Sequence, residues 1–515
     1  MQFNSLAFVA FLAVVLPLYF GPEWAGLRWL PRLCRRQPRV SRLLSFAFGL
    51  RGALRPIYRR RLVLQNAMLV AASYVFYAWW DVRFVSLLLA STLCDYWIAL
   101  WMDSRRVRLG PAVSNKGPLR LSLVINLGLL GVFKYHDFFV ANLAALLEAC
   151  GLHPNLPLLG IVVPVGISFY TFQTIAYSYS VYRGDIPAER SLPQFALYVA
   201  YFPQLVAGPI ENAQRLLPQI AAPRRVSWGA FCSGCSLVLQ GLFKKIAIAD
   251  AAAKYVDVVF AAPEKASSST LMLGTYMFAL QIYGDFCGYT DIARGVSRAM
   301  GIELMVNFRQ PYLATNITDF WRRWHISLSS WLRDHLYIPL GGNRHGALQT
   351  YRNLMLTMLL GGLWHGAKWT FVVWGGLHGV YLALHKLWTG RGAVATAPAT
   401  ARPSWGRQVV GALFTFHLVC IAWVFFRAND LETAWQILSG IVAFDMAPSG
   451  QVPMSSLGLL AIALAVDLAC ARRGEQTPIG EGIPTFYRWL LYGSAIVMML
   501  IADTPGNVPF LYFQF

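Results

Sequence analysis

Two histidines stand where this chain could do chemistry. His325 lies in FWRRWHISLSSWLRDHLYIPLGG, from Phe320 to Gly342, and His365 lies in LLGGLWHGAKW, from Leu359 to Trp369. Imidazole changes charge closest to neutral pH, so a histidine held in an apolar run is a natural general base. The stretch from Leu354 to Trp388 would be roughly 50 Å long as one straight helix, which exceeds the roughly 30 Å of a hydrocarbon core. Gly361, Gly362 and Gly366 therefore predict a helix break or a close helix crossing beside His365. Backbone at such a break can line a cavity instead of facing lipid.

Each histidine also has a plainer reading. His365 fits a core residue bonded to a neighbouring helix. His325 fits a membrane-surface helix without chemistry, where Arg322, Arg323 and Arg333 meet headgroup phosphates and Trp321, Trp324 and Trp331 form an aromatic belt. His417, alone in LFTFHLVCIAWVFF, reads as structural. Asp285 and Asp291, in YGDFCGYTDIARG, belong to an ion pair or to a wet cavity, with Arg294 close enough in sequence to pair with Asp291. Metal chemistry has little support: His325, His335 and His345 lie ten apart, and no zincin-like pair, Walker loop, dinucleotide fingerprint or nucleophile elbow is present.

The elements that must hold these residues follow from composition. Of 515 residues, 57% are hydrophobic and 13% charged, against about 25% charged in a soluble domain. The class is an all-α, multi-pass membrane protein. The net charge of +20 arises from arginines clustered in short loops, with no soluble basic domain to bind nucleic acid. The eight cysteines give no disulfide framework, and Cys232 and Cys235, though spaced as a redox pair, sit in an apolar helical run.

Apolar runs fall near 4–20, 62–80, 83–101, 119–133, 138–150, 157–181, 192–208, 229–250, 270–300, 351–364, 369–389, 408–427, 455–470 and 486–502. About 11 are expected to span, the rest being re-entrant or interfacial. All of 1–515 reads as one membrane-embedded domain. Within it, 28–61 is a basic cytosolic loop or interfacial segment, with eleven arginines and no acid, and 391–405 is an Ala/Pro/Thr-rich loop. The basic loop after residue 101 lies on the same side as 28–61, which places the N-terminus outside the cytosol. The first apolar run has no Lys or Arg before it and no clear cleavage site, so it is expected to be retained.

The two histidine segments, extended to FWRRWHISLSSWLRDHLYIPLGGNR and YRNLMLTMLLGGLWHGAKWTFVVWGGLHG, resemble the membrane-bound O-acyltransferase family, in its bacterial branch that acetylates exported polysaccharides. PVGISFYTFQTIAYSYSVYRGD, FPQLVAGPIENA, GLFKKIAIAD, YGDFCGYTDIARG and the final PFLYFQF agree, so the resemblance covers nearly the whole chain. It implies an MBOAT-like helical fold, His365 as the catalytic histidine of the WHG motif, and His325 as a second site residue. Trp321, Arg322, Arg323, Arg333, Asn343, Trp364 and Asp285 are carried as donor or channel contacts.

The resemblance further implies an inner-membrane enzyme with no tightly bound cofactor and no metal. Acetyl-CoA or another acyl thioester would be the donor, extracytoplasmic acetyltransferase proteins the partners, and a polysaccharide such as alginate the final acceptor. Segment 31–61 is longer than the corresponding connection in the family, and 449–506 matches weakly; both bear on the partner and the polymer. Rival readings are a lipid or protein O-acyltransferase, and a transporter or polymer-export component built on Gly/Pro-broken spans.

Overall fold

The computed structural model describes residues 1–26, 48–224, 226–392, 404–445, 454–473, 483–502 and 510–511. Most of 28–61 and of 391–405 lies outside these residues; what is described of them opens or closes helices Phe48–Ala78, Trp369–Gly392 and Trp405–Arg427. All regular structure among the described residues is helical. Arg83–Leu109, Lys116–Ala149, Trp228–Ala261 and Trp405–Arg427 are long and apolar enough to cross a membrane, and Leu6–Phe20 and Thr485–Ile501 are shorter apolar helices.

Four apolar runs take a different form from the one periodicity predicts. The runs 119–133 and 138–150 are one helix, continued through a π-helical turn at Gly131–Tyr135. A π-turn accommodates one extra residue without ending the helix, so the polar residues around Lys134 do not break it. The run 157–181 becomes helical only from Ile167, and 192–208 only over Leu192–Ala200.

The chain divides into two compact units. The first comprises Met1–Leu130, Pro164–Cys235 and Ala293–Leu304. Its core holds a carboxylate, Asp95, fully buried on helix Arg83–Leu109. Ser122 Oγ, Asn126 Nδ2 and Ser178 Oγ donate to it at 2.5, 2.8 and 3.0 Å, tying three helices together. A buried acid needs such donors. At the turn before the same helix, the hydrogen bond from the Arg83 guanidinium holds the half-buried Asp81 carboxyl below its usual range.

The second unit comprises Gly131–Val163, Ser236–Ile292 and Met305–Phe515, and it contains both candidate histidines. Several of its buried charges are paired. Lys245 Nζ lies 2.7 Å from both Asp250 and Asp285, and Lys244 Nζ lies 2.6 Å from Asp291. The second oxygen of Asp285 accepts the Leu511 N–H at 2.8 Å, and the Phe510 ring lies 4.5 Å from Lys245 Nζ. The C-terminal Phe-Leu pair is thus anchored on a buried ion cluster.

Helices Ala347–His365 and Trp369–Gly392 form a tight hairpin. The glycines produce both predicted features. The first helix ends at His365 because Gly366 is extended (φ −164°, ψ 151°). The crossing is close because a Cβ on Gly362 would lie 2.2 Å from the Phe371 carbonyl oxygen, and one on Gly375 2.3 Å from that of Met358. Backbone cannot rotate away as a side chain can. Gly362→Ala is therefore expected to cost at least about 1–3 kcal/mol by overpacking, seen as a lower melting temperature in detergent or loss of the protein from membranes. Gly128→Ala, with nothing within 4 Å of the added Cβ, should melt like the wild type.

Candidate active site

His325 is the second of the two residues, Trp324 and His325, that join helices Ile317–Arg323 and Ile326–Leu332. Its backbone is left-handed (φ 43°, ψ 55°), a conformation that costs a non-glycine residue roughly 1–2 kcal/mol. Such strain clusters at functional sites. It is held there from residue 307: Ile326 N–H donates to the Asn307 carbonyl at 2.9 Å, and Ser327 N–H and Oγ donate to Asn307 Oδ1 at 3.1 and 2.8 Å.

These bonds also set the imidazole's tautomer. Because a backbone N–H points at it, the Asn307 atom must be the oxygen. His325 Nδ1 lies 3.3 Å from that same oxygen, so Nδ1 carries the proton of the neutral ring and Nε2 carries the lone pair. The ring is 0% exposed and packs edge-on to Phe286 at 4.7 Å.

His365, 5% exposed, closes its helix. Trp364 and Trp374 each lie 5.0 Å from its ring centroid and Phe426 5.2 Å, all near edge-on. Trp364 also contacts the His325 ring at 6.1 Å, so one indole is shared by both histidines. On the other side, Trp374 touches His378 at 4.8 Å, and His378 touches Trp321 at 5.0 Å. A continuous run of rings thus leads from His325 through Trp364, His365, Trp374 and His378 to Trp321.

Several polar atoms in this run have no hydrogen-bond partner among the described residues: Trp321 Nε1, Trp374 Nε1 and both ring nitrogens of His378. His378 is 0% exposed. Indole N–H and imidazole groups are donors that bind carbonyl oxygens. With a histidine lone pair beside them, the arrangement suits transfer of an acyl group: a base for a hydroxyl and donors for the carbonyl.

Of the residues singled out in the sequence, His325, Trp364, His365 and Trp321 are brought together. The others are placed elsewhere. Arg322 and Asn343 are exposed, and Arg333 is exposed and paired with Asp334 at 2.7 Å. Arg323 is bonded to Asp319 one turn back at 3.0 Å. Asp285 belongs to the Lys245 ion cluster. Asn307, Trp374, His378, Phe426 and Lys134 join the site without having been singled out. His378 had a signal in the sequence, as a histidine between glycines in GGLHG, 13 residues after His365.

Comparison with known proteins decides the family. The sequence profile of MBOAT, the membrane-bound O-acyltransferase family, matches residues 186–429, which include both histidines and the whole aromatic run. The chain is 43% identical to the "Probable alginate O-acetylase AlgI" of Azotobacter vinelandii over 88% of its own length and 95% of that protein's. The chain belongs to the membrane-bound O-acyltransferase family. This MBOAT chain is also 36% identical to the "Peptidoglycan O-acetyltransferase" of Helicobacter pylori, over 75% of its own length and 76% of that protein's. It is 27% identical to the "Teichoic acid D-alanyltransferase" of Bacillus subtilis, over 54% and 72% of the two chains. As an MBOAT protein it is an O-acyltransferase of the multi-pass membrane class.

The strained backbone at His325 separates two effects of mutation. Asparagine tolerates the left-handed region, whereas a β-branched residue does not. His325→Asn is expected to accumulate in membranes as the wild type does but with acyl transfer reduced at least about tenfold. His325→Val should also lose accumulation. Quantitative immunoblotting of membranes beside acyl transfer per unit protein checks both.

Proposed function

We propose that this MBOAT chain moves an acetyl group from a cytosolic thioester, acetyl-CoA, across the inner membrane for O-acetylation of an exported polysaccharide. The observation that carries the reading is the placement of His365. It is buried at a helix end, within ring contact of Trp374, whose N–H has no protein partner among the described residues. The O-acetylase names of its relatives from Azotobacter and Helicobacter support acetyl as the group and a cell-surface polymer as the acceptor class.

In this reading His365 takes the proton of an attacking hydroxyl as the oxygen bonds to the thioester carbonyl carbon. The developing oxyanion accepts from Trp374 Nε1–H and from the protonated ring nitrogen of His378. The C–S bond then breaks, and the proton on His365 passes to the departing thiolate. His325, with its lone pair on Nε2, orients the reactants beside Trp364. The attacking hydroxyl belongs to an extracytoplasmic acetyltransferase partner or to the polymer itself. The N-terminus lies outside the cytosol, membrane lipids surround the fold, and no tightly bound cofactor takes part.

The test compares the O-acetyl content of secreted polysaccharide in a deletion strain, the same strain with the wild-type gene, and with His365→Ala at matched membrane abundance. Wild type should restore acetylation and His365→Ala should leave it at the deletion level, a loss of at least about 100-fold. Equal acetyl content in all three strains would sink the polysaccharide reading. Label recovered in lipid or protein instead would move the acceptor to those classes.

A further inference from the structure

We infer that Lys134, assisted by Tyr135, is a positioning residue for His365: a lysine inside a membrane helix caps the helix end that presents the catalytic histidine. The inference rests on His365 acting as the base.

Lys134 stands 18 residues after the start of helix Lys116–Ala149 and 15 before its end. About 22–27 Å of helix therefore separates it from either end, near the middle of an element long enough to cross a membrane. An ionisable residue at such depth is expensive and needs a stated partner. Its partners include two carbonyls: Nζ donates to the Trp364 oxygen at 2.6 Å and to the His365 oxygen at 3.1 Å. The adjacent Tyr135 hydroxyl donates to the Leu363 oxygen at 3.1 Å. The last four carbonyls of any α-helix lack partners within it, and here these are residues 362–365. Three of the four are satisfied by one neighbouring dipeptide.

Two further features show why this cap is needed. A helix commonly closes on a left-handed C′ residue that folds back onto its own carbonyls. Gly366 is instead extended, so that closure is absent. Carbonyls left open at membrane depth cost several kcal/mol each. Second, consecutive residues on an α-helix point about 100° apart and do not share a target. Lys134 and Tyr135 lie in the π-helical turn Gly131–Tyr135, whose wider geometry lets both reach the same helix end. π-bulges recur at functional sites. The ammonium also suits the negative end of the helix dipole and lies 5.9 Å from the Trp364 ring.

The same helix steadies the far side of the break. Trp369 Nε1 donates to Asn142 Oδ1 at 2.7 Å, and its ring meets Phe138 at 5.8 Å. Lys134 and Tyr135 hold the end of one hairpin helix while Phe138 and Asn142 hold the start of the next. The backbone position of His365 is thus set by an element remote from it in sequence.

The test uses the full chain in lipid nanodiscs: wild type, Lys134→Met, Lys134→Arg and His365→Ala. Two readouts are taken: acetyl transfer from radiolabelled acetyl-CoA in the matching membrane vesicles, and carbethoxylation of His365 by diethyl pyrocarbonate, followed by peptide mass spectrometry. Exposed His153 serves as the internal control. Lys134→Met should lower the maximal transfer rate by about 100-fold, the scale of a roughly 1 Å misplacement, with the KM for acetyl-CoA little changed. The His365 carbethoxylation rate should shift at least about threefold while that of His153 stays constant. Lys134→Arg, which keeps the donors, should restore both. Unchanged His365 reactivity in Lys134→Met overturns the inference, as does failure of arginine to restore what methionine removes. Full transfer by His365→Ala instead overturns the base reading, and the carbethoxylation arm still decides whether Lys134 positions that side chain.

Discussion

A helix that ends inside an apolar chain must dispose of its last carbonyls within the protein. That constraint governs the second unit. Ending helix Ala347–His365 at residue 365 frees the histidine from the helical ladder and aims it among Trp364, Trp374 and Phe426. The same ending exposes backbone acceptors that lipid cannot satisfy. Lys134 and Tyr135 satisfy three of them. Catalytic placement and backbone satisfaction are one structural problem with one solution.

The hairpin that follows converts this local ending into a rigid frame. Gly362 and Gly375 let the two helices meet backbone to backbone, the mode of close packing available where lipid removes the hydrophobic drive between helices. Because the helices touch at their main chains, the aromatic rings around them have little freedom. Trp374 stacks on Trp423 at 5.9 Å and lies near edge-on to Phe426 at 5.4 Å. His325 is held separately, through Asn307 and a strained backbone. Two histidines fixed by independent scaffolds share Trp364, so their relation depends on both.

The parts of the site legible in the sequence were those where one residue type carries the signal. A histidine in an apolar run and glycines at a span too long to be straight pointed to His365 and the hairpin break, whereas Trp321, read as part of an aromatic belt, lies in the ring run beside His378. The arginines lie apart from the ring run: Arg322 and Arg333 are exposed, and Arg323 is bonded to Asp319 on its own helix. Asn307 was silent because it acts across 18 residues of intervening chain through bonds that no periodicity encodes. Lys134 was read as the gap between two spans: counting apolar residues treats a lysine as an end, whereas a π-turn and two carbonyl partners keep it inside one helix. The carboxylate of Asp95 was missed for the same reason, since its partners Ser122, Asn126 and Ser178 are neutral side chains on other helices.

The buried groups fall into two kinds, and the difference bears on function. Asp95, Lys245 and Asp285 are bonded to other groups of their own unit, and they fasten helices or anchor the C-terminal Phe-Leu pair. Trp374 Nε1, Trp321 Nε1 and the His378 ring are buried without a hydrogen-bond partner among the described residues, at about 1–3 kcal/mol each. Buried polar atoms without a partner also occur elsewhere among the described residues, at Gln65 Nε2, Gln240 Oε1 and Gln281 Oε1; this group differs in that its members lie along one run of rings beside His365, where a carbonyl would be held. Stability and catalysis thus draw on the same scarce resource, hydrogen-bond donors in an apolar interior, and this chain spends them at separate places.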